Sequence, residues 1–422
     1  MDIARDPRTF ALGTLRPREV LMPATREEFA AALHACERAS RTALFFGGGT
    51  LQGIGALPAR YDLALATARL ARIVAHEPRD LTIALEAGVT LAALQARLAA
   101  VGQFVPLDGP QAARGTIGGL LASGWLGPRR ARYGSPRDLV IGTTVALSDG
   151  TLARSGGMVV KNATGYDLSK LHLGALGSLG AIVQANLRTL PLPATQRLAL
   201  APLPEGSGAR TLAHLAHLEL EPSAALVVRG FTREIAGTRG PDGLAFVLLE
   251  GSRALVERAT RELRSALGAA GVPQTFLVEP QAEIARHFAQ LLEAPFARLG
   301  ARSLTYRFAG APDDLATRGA RCAALAGEFA LTLETFEDAR TGDLFARLGA
   351  PNAAALAERA PGFDTARLAI SERLQLIAAP DRLRAKLSAW GTPPAALATM
   401  RALKAHLDPN GTLASARLAG GL

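Results

Sequence analysis

Three glycine-rich stretches of this 422-residue chain have the spacing to hold an elongated, charged ligand against bare backbone. The first follows an apolar run, Thr42 to Phe46, and brings Gly47, Gly48, Gly49, Thr50, Gly53 and Gly55. The second is GTIGGLLASG, from Gly115 to Gly124; the third sets Gly174, Gly177 and Gly180 three residues apart. Without Cβ atoms, successive N–H groups can converge into an anion-binding concavity, and a diphosphate can approach the main chain. Thr50 adds a hydroxyl. Taken alone, the first loop is equally well explained as a tight structural turn. A packed helix, however, has little use for three glycines spaced as in the third stretch, since each costs about 1 kcal/mol relative to alanine. Together the clusters predict one ligand threaded along all three.

Two common phosphate motifs do not fit. In the G-x-G-x-x-G fingerprint the sixth position is Gln52 when counted from Gly47 and Pro58 when counted from Gly53. A P-loop needs Gly-Lys-Ser/Thr, and no lysine precedes Lys161. Other reactive side chains are sparse. Cys36 and Cys322 are the only cysteines and are far apart, so no cluster or thiolate metal motif exists. Of seven histidines, only His214 and His217 are close, and a leucine-rich amphipathic helix explains that pair better than a metal site does.

Composition narrows the partners. The formal net charge is +10, but four lysines stand against 43 arginines, scattered among alanines with no basic run. With 5% aromatic residues there is no stacking platform, so no nucleic-acid partner is expected. MDIARDPRTF has no apolar core and does not read as a signal peptide. No stretch approaches the ~18 apolar residues of a membrane helix. The expectation is a cytoplasmic protein without direct membrane insertion, held at the inner membrane only through partners.

The elements that position the glycines follow from local signals. Thr25 to Glu28 forms a capping box ahead of a helix reaching about Ala39. Thr42 to Phe46 and LTIALEAGV read as strands; Thr90 caps a helix that Gly102 ends. DLVIGTTVALSDGTL reads as a strand pair with a type I′ turn at Asp149–Gly150. Proline-rich LPLPATQRLALAPLPEGSG marks a boundary. Beyond it, strand–helix units predict an antiparallel sheet with helices on one face. The fold class is α+β, with domains at 15–192 and 193–395 and a C-terminal segment, 396–422, returning to the first.

In order, GGGT, PLDGP, GTIGG, RYG, RDLVIG, ALSDG and KNATGYDLSKLHLGALGSLGAIVQANLRTLP resemble the FAD-binding domain of the vanillyl-alcohol-oxidase/p-cresol-methylhydroxylase superfamily. The resemblance is strongest to the E-type FAD-binding subunits of bacterial glycolate oxidase complexes. It is close from about Phe45 to Pro191, loose over 194–395, and returns at LKAHLDPNGTL. It implies a two-subdomain FAD-binding domain plus a cap domain, and FAD as cofactor. Gly47, Gly48, Gly49, Thr50 and Gly53 would form the pyrophosphate loop. Thr116, Ile117, Gly118 and Gly119 would line the opposite side, with Ser123 close by. Pro106 to Pro110 would border the isoalloxazine, and Gly180 to Ile182 the adenine end. Lys161, Tyr166 and Asp167 would sit near the cofactor or pin their own segment.

The departures matter as much. Related hydroxy-acid dehydrogenases carry Gly-Ser-Glu-Gly-Thr-Leu-Gly where this chain has Leu176 in place of the glutamate, and a His-x-x-x-His-Gly segment that is missing here. Their terminal Asn-Pro-Gly-Arg is replaced by ASARL. No histidine or cysteine lies in the first loop, so FAD is expected to be non-covalent. The resemblance implies a catalytic FAD subunit and an iron–sulfur subunit as partners, with a small hydroxy acid as substrate of the whole. A self-sufficient FAD oxidoreductase and a redox-silent flavin-stabilised scaffold are the alternatives.

Overall fold

The computed structural model describes residues 2–3, 7–159, 166–219, 221–231, 240–297, 300–414 and 416–422. They form two compact units. One comprises 1–126, 134–192 and 393–422; the other comprises 127–133 and 193–392.

In the first unit, Glu19–Met22, Leu63–Ala66 and Ala43–Phe46 make a parallel set with Asp2–Ile3 antiparallel at its edge. A five-stranded antiparallel sheet orders Ile73–Glu77, Thr82–Glu86, Ala181–Arg188, Val140–Ala146 and Leu152–Gly156. The helix Arg26–Arg38 buries Phe29 and Leu33 in one core with Leu63, Leu65 and Val183, so both sheets share it. Thr25 Oγ1 accepts from Glu28 N at 3.0 Å, while Glu28 Oε2 accepts from Ala24 N, one residue earlier than a strict capping box. Thr90 Oγ1 caps Leu91–Ala99 through Ala93 N at 3.2 Å.

The Asp149–Gly150 turn differs from expectation. Gly150 has φ 84°, but Asp149 is not left-handed, which type I′ would require. Gly150 N donates to Leu147 O and Leu147 N to Thr151 O, which is a type I turn closed by a left-handed glycine. The Asp149 carboxylate, accepting from Thr151 N at 2.8 Å, holds that form.

The second unit is built on an eight-stranded antiparallel sheet, from Phe276–Val278 at one edge to Leu374–Ala378 at the other. Alternate residues, such as Ala245, Val247 and Leu249, bury against helices Gly208–Ala216, Arg253–Ala269, Leu315–Glu328 and Ala353–Ala366. One helix, Gln281–Glu293, breaks the one-face pattern. Its Phe288 packs on Phe246, which points away from that core. Residues 127–133 pack here too. Tyr133 donates to Glu250 Oε2 at 3.0 Å, Arg130 to Asp343 Oδ2 at 2.7 Å, and Arg129 lies 4.5 Å over the Phe288 ring. Asp343 also accepts from Arg307 at 2.9 Å. Burial, with the charge of Asp343 adding to it, raises neighbouring Asp338 to about 7.

Candidate functional site

All three glycine clusters meet in the first unit, around one cleft. The strand Ala43–Phe46 feeds the first wall. Phe46 is fixed by Phe10 at 5.3 Å and Tyr61 at 6.1 Å, and Phe45 by Phe29 at 5.8 Å. The strand's end therefore cannot swing, and the glycine loop leaves it in a fixed direction. Gln52 Nε2 closes the loop back onto Phe45 O at 2.7 Å.

The second wall starts at Thr116, whose Oγ1 accepts from Gly119 N at 3.3 Å and caps the short helix Ile117–Ser123. A Cβ on Gly48 would lie 1.8 Å from the Arg114 carbonyl oxygen, and one on Gly118 would lie 2.6 Å from the Ala87 Cβ. These two glycines thus let protein backbone meet protein backbone, which is a different reason from ligand approach. Gly49 differs again: φ is 72° and nothing stands within 4 Å of its missing Cβ.

The third wall is not helical. Gly174 and Gly177 are left-handed (φ 79° and 78°), and Leu176 between them is left-handed as well at φ 52°. Gly174 N and Leu176 N donate to Leu121 O and Ala122 O at 2.9 and 2.8 Å, stitching this wall to the second. A side chain at 177 would strike the Phe45 ring at 2.5 Å. The C-terminal segment supplies the rest. Thr412 O accepts from Ala43 N at 2.8 Å, and Lys404 Nζ donates to Ser178 O at 2.7 Å and Leu413 O at 2.8 Å. Arg417 reaches the loop at Gln52 and Ile54.

Of the expected site residues, Gly47, Gly48, Gly49, Thr50, Thr116, Gly118, Gly119, Ser123 and Ile182 line the cleft. Gly53, Pro110, Ile117 and Gly180 do not line it. Ile117 is fully buried, and a Cβ on Gly180 would meet Val145 at 2.5 Å. Lys161 lies outside the described residues; Tyr166 is 93% exposed, and Asp167 pairs with Lys170 at 2.9 Å. Gly177 of the third cluster and Ala181 of the expected Gly180–Ile182 stretch line the cleft too, whereas Phe45, Leu176 and Arg417 line it and were not expected. For Leu176, adjacency to the third cluster was an available signal. For Arg417 there was none. Cys36 and Cys322 are buried away from the cleft, their thiols pushed up by burial to about 11 and about 12. Among the described residues no group of acidic, histidine and cysteine side chains could hold a metal, and no helix is long and apolar enough to cross a membrane.

One unit with a parallel-stranded lobe, an antiparallel lobe and a glycine-walled cleft, and a second unit built on an antiparallel sheet, define an FAD-binding fold of the p-cresol methylhydroxylase type. Residues 17–156 match the FAD binding domain family. The chain resembles the E subunit of glycolate oxidase: it is 35% identical to glycolate oxidase subunit GlcE of Escherichia coli (strain K12) over 192 residues, 45% of this chain and 51% of that protein. It is 31% identical over 185 residues to glycolate oxidase subunit GlcD of Bacillus subtilis (strain 168), 44% of this chain and 39% of that protein. Similarity to D-2-hydroxyglutarate dehydrogenase of Xanthomonas citri pv. viticola is 33% over 193 residues, 45% of this chain and 40% of that one. The matched region thus spans between about two fifths and about half of the length of these relatives. The fold extends further: p-cresol methylhydroxylase with substrate bound superposes with a TM-score of 0.76 at 14% identity, over 96% of this chain and 89% of that one.

Proposed function

We propose that this chain binds FAD non-covalently and is the FAD-binding subunit of a glycolate-oxidase-like complex, beside a catalytic flavoprotein subunit and an iron–sulfur subunit. The observation that carries the reading is the cleft walled by three glycine clusters within a region similar to GlcE. The residues present suit the group: Gly47 to Gly49 offer main chain without side chains, Thr50 and Thr116 offer hydroxyls, and Phe45, Leu176 and Ile182 offer apolar surface. Bound FAD would supply two-electron redox chemistry, and the protein supplies placement. No cysteine, histidine or tyrosine is among the described lining residues, which supports a non-covalent cofactor.

Oxidising a 2-hydroxy acid removes a hydroxyl proton as the hydride leaves, and a positioned base contributes about 100- to 10,000-fold. The one ionisable side chain of the described lining is Arg417, and a guanidinium keeps its proton. That supports assigning substrate chemistry to a sister subunit. In this reading the subunit works in the cytoplasm and reaches the inner membrane only through its partners.

Acid precipitation of the purified chain is expected to release FAD into the supernatant. Anaerobic mixing of the lone FAD-loaded chain with glycolate or D-lactate is expected to bleach it slowly or not at all, while the co-purified assembly reduces a dye. Flavin that stays with the precipitate would refute non-covalent binding. Fast stoichiometric bleaching of the lone chain would instead identify a self-sufficient oxidoreductase.

A further inference from the structure

We propose that Gln52 is a positioning residue whose side chain ties the C-terminal segment to the first glycine loop, and that release of this tie sets the rate at which FAD exchanges. The proposal rests on the FAD reading above and goes beyond it in naming what governs entry and exit. Ala43–Phe46 is an edge strand of its sheet. Thr42 O and Phe46 O turn inward, accepting from Leu63 N at 2.9 Å and Thr67 N at 2.8 Å. Backbone groups alternate along a strand, so Ala43 and Phe45 present theirs to the open edge. The C-terminal segment covers the first of these. Ala43 N donates to Thr412 O at 2.8 Å, and Ala43 O accepts from Ala414 N at 3.0 Å. The Phe45 carbonyl is met instead by the Gln52 amide, whose Nε2 donates at 2.7 Å, while its Oε1 accepts from Arg417 at 2.9 Å. One planar amide thus joins the strand end to the C-terminal segment, using its donor on one side and its acceptor on the other.

That segment is held against its own preference. Ala414 and Ala416 have φ 34° and 65°, in the half of the map that alanine avoids. Such backbone persists where surrounding bonds over-determine it. Here they are Ala414 N to Ala43 O, Arg417 to Gln52 and Ile54, and Ala56 N to Arg417 O at 3.0 Å. Removing the Gln52 side chain leaves the Arg417 bonds to the carbonyls of Gln52 and Ile54 but cuts the link to Phe45. A strained segment with fewer ties opens more often. Gln52 and Arg417 both line the cleft, so each opening parts its wall and lets FAD pass in either direction.

The test uses the full chain and reads the rates of FAD uptake and release, and the Kd, separately by flavin fluorescence. Gln52→Leu keeps the bulk and removes both side-chain bonds. It is expected to speed release about 10-fold and to speed uptake as well, so that the Kd changes no more than about threefold. Ala416→Gly, which lets the left-handed backbone relax, is expected to slow both rates about two- to fivefold, and it tests the tie even if Gln52→Leu does not fold. Release from Gln52→Leu at the wild-type rate would overturn the proposal. So would faster release with uptake unchanged or slowed, because the residue would then only shape the bound loop. Wild-type rates in Ala416→Gly would overturn it too. A wild-type chain that takes up no FAD would instead remove the FAD reading itself.

Discussion

Gly47, Gly48 and Gly49 are interchangeable in sequence and are used in three different ways, so replacing each by alanine separates loop–loop packing from ligand approach. A Cβ at 48 would stand 1.8 Å from the Arg114 carbonyl oxygen, about 1.2 Å inside the 3.0 Å floor that real Cβ contacts respect. The obstacle is backbone and cannot rotate away, so the Arg114–Thr116 wall must move relative to the glycine loop. A misfit of that kind costs about 1–3 kcal/mol. Carried into binding, it is about 5- to 150-fold in the Kd for FAD. At 47 the Cβ would lie 1.9 Å from Thr116 Oγ1, a side-chain atom that can turn aside. The loss there is the cap on Gly119 N, about 0.5–2 kcal/mol. At 49 the space is open and only the left-handed backbone resists, at about 1–2 kcal/mol of stability. FAD fluorescence titration with a denaturant midpoint for each variant is expected to rank the loss of affinity as Gly48→Ala, then Gly47→Ala, then Gly49→Ala. If Gly49→Ala abolishes FAD binding while Gly48→Ala binds as wild type does, the loop is shaped by the ligand and the packing argument is wrong.

Other outcomes follow from groups described above. Gly118→Val is expected to lower FAD occupancy sharply, because its side chain would meet Ala87; a full complement of released flavin would contradict this. Asp408 accepts from Thr412 N and Leu413 N and pairs with the part-buried Lys404, so Asp408→Ala is expected to cost about 3–5 kcal/mol in urea unfolding. Asp338, raised to about 7, stays protonated in the fold at pH values where the unfolded carboxyl has ionised, so its contribution falls as pH rises from about 4 to about 7. Asp338→Asn is therefore expected to gain more over wild type at pH 8 than at pH 5, by up to about 3 kcal/mol. Burial depresses His172 to about 4, so the opposite slope applies: stability is lost as pH falls from about 6.5 to about 4, and His172→Gln is expected to flatten that loss.

What was legible in the sequence was local. Caps at Thr25 and Thr90 act through neighbours three residues away, and the glycine clusters announce themselves by composition. The turn at Asp149 was misread because one carboxylate hydrogen bond favours a different form over the same two residues. The purpose of Gly48 and Gly118 was legible only as a need for bare backbone, since Arg114 and Ala87 are partners that the fold alone brings near. Arg417 is one arginine among 43, and its bonds to Gln52 and Ile54 join groups that only the fold brings near. The helix Gln281–Glu293 has the same amphipathic pattern as its neighbours and gave no sign of which sheet face it would cover.

Residues 127–133 have a consequence for biosynthesis. They leave the ribosome 117 residues before Glu250, the acceptor of Tyr133, and 213 residues before Asp343, the acceptor of Arg130. At about 5–20 residues per second that is a wait of roughly 6 to 40 seconds with three arginines unpartnered by the groups they will meet. Lys404 and Arg417 emerge later still, yet they clamp Ser178, Gln52 and Ile54 around the cleft. The glycine loop is thus synthesised early and finished late, and the nascent chain must keep its apolar strands from wrong pairings throughout. In this topology the cleft has no complete wall until residue 417 is free.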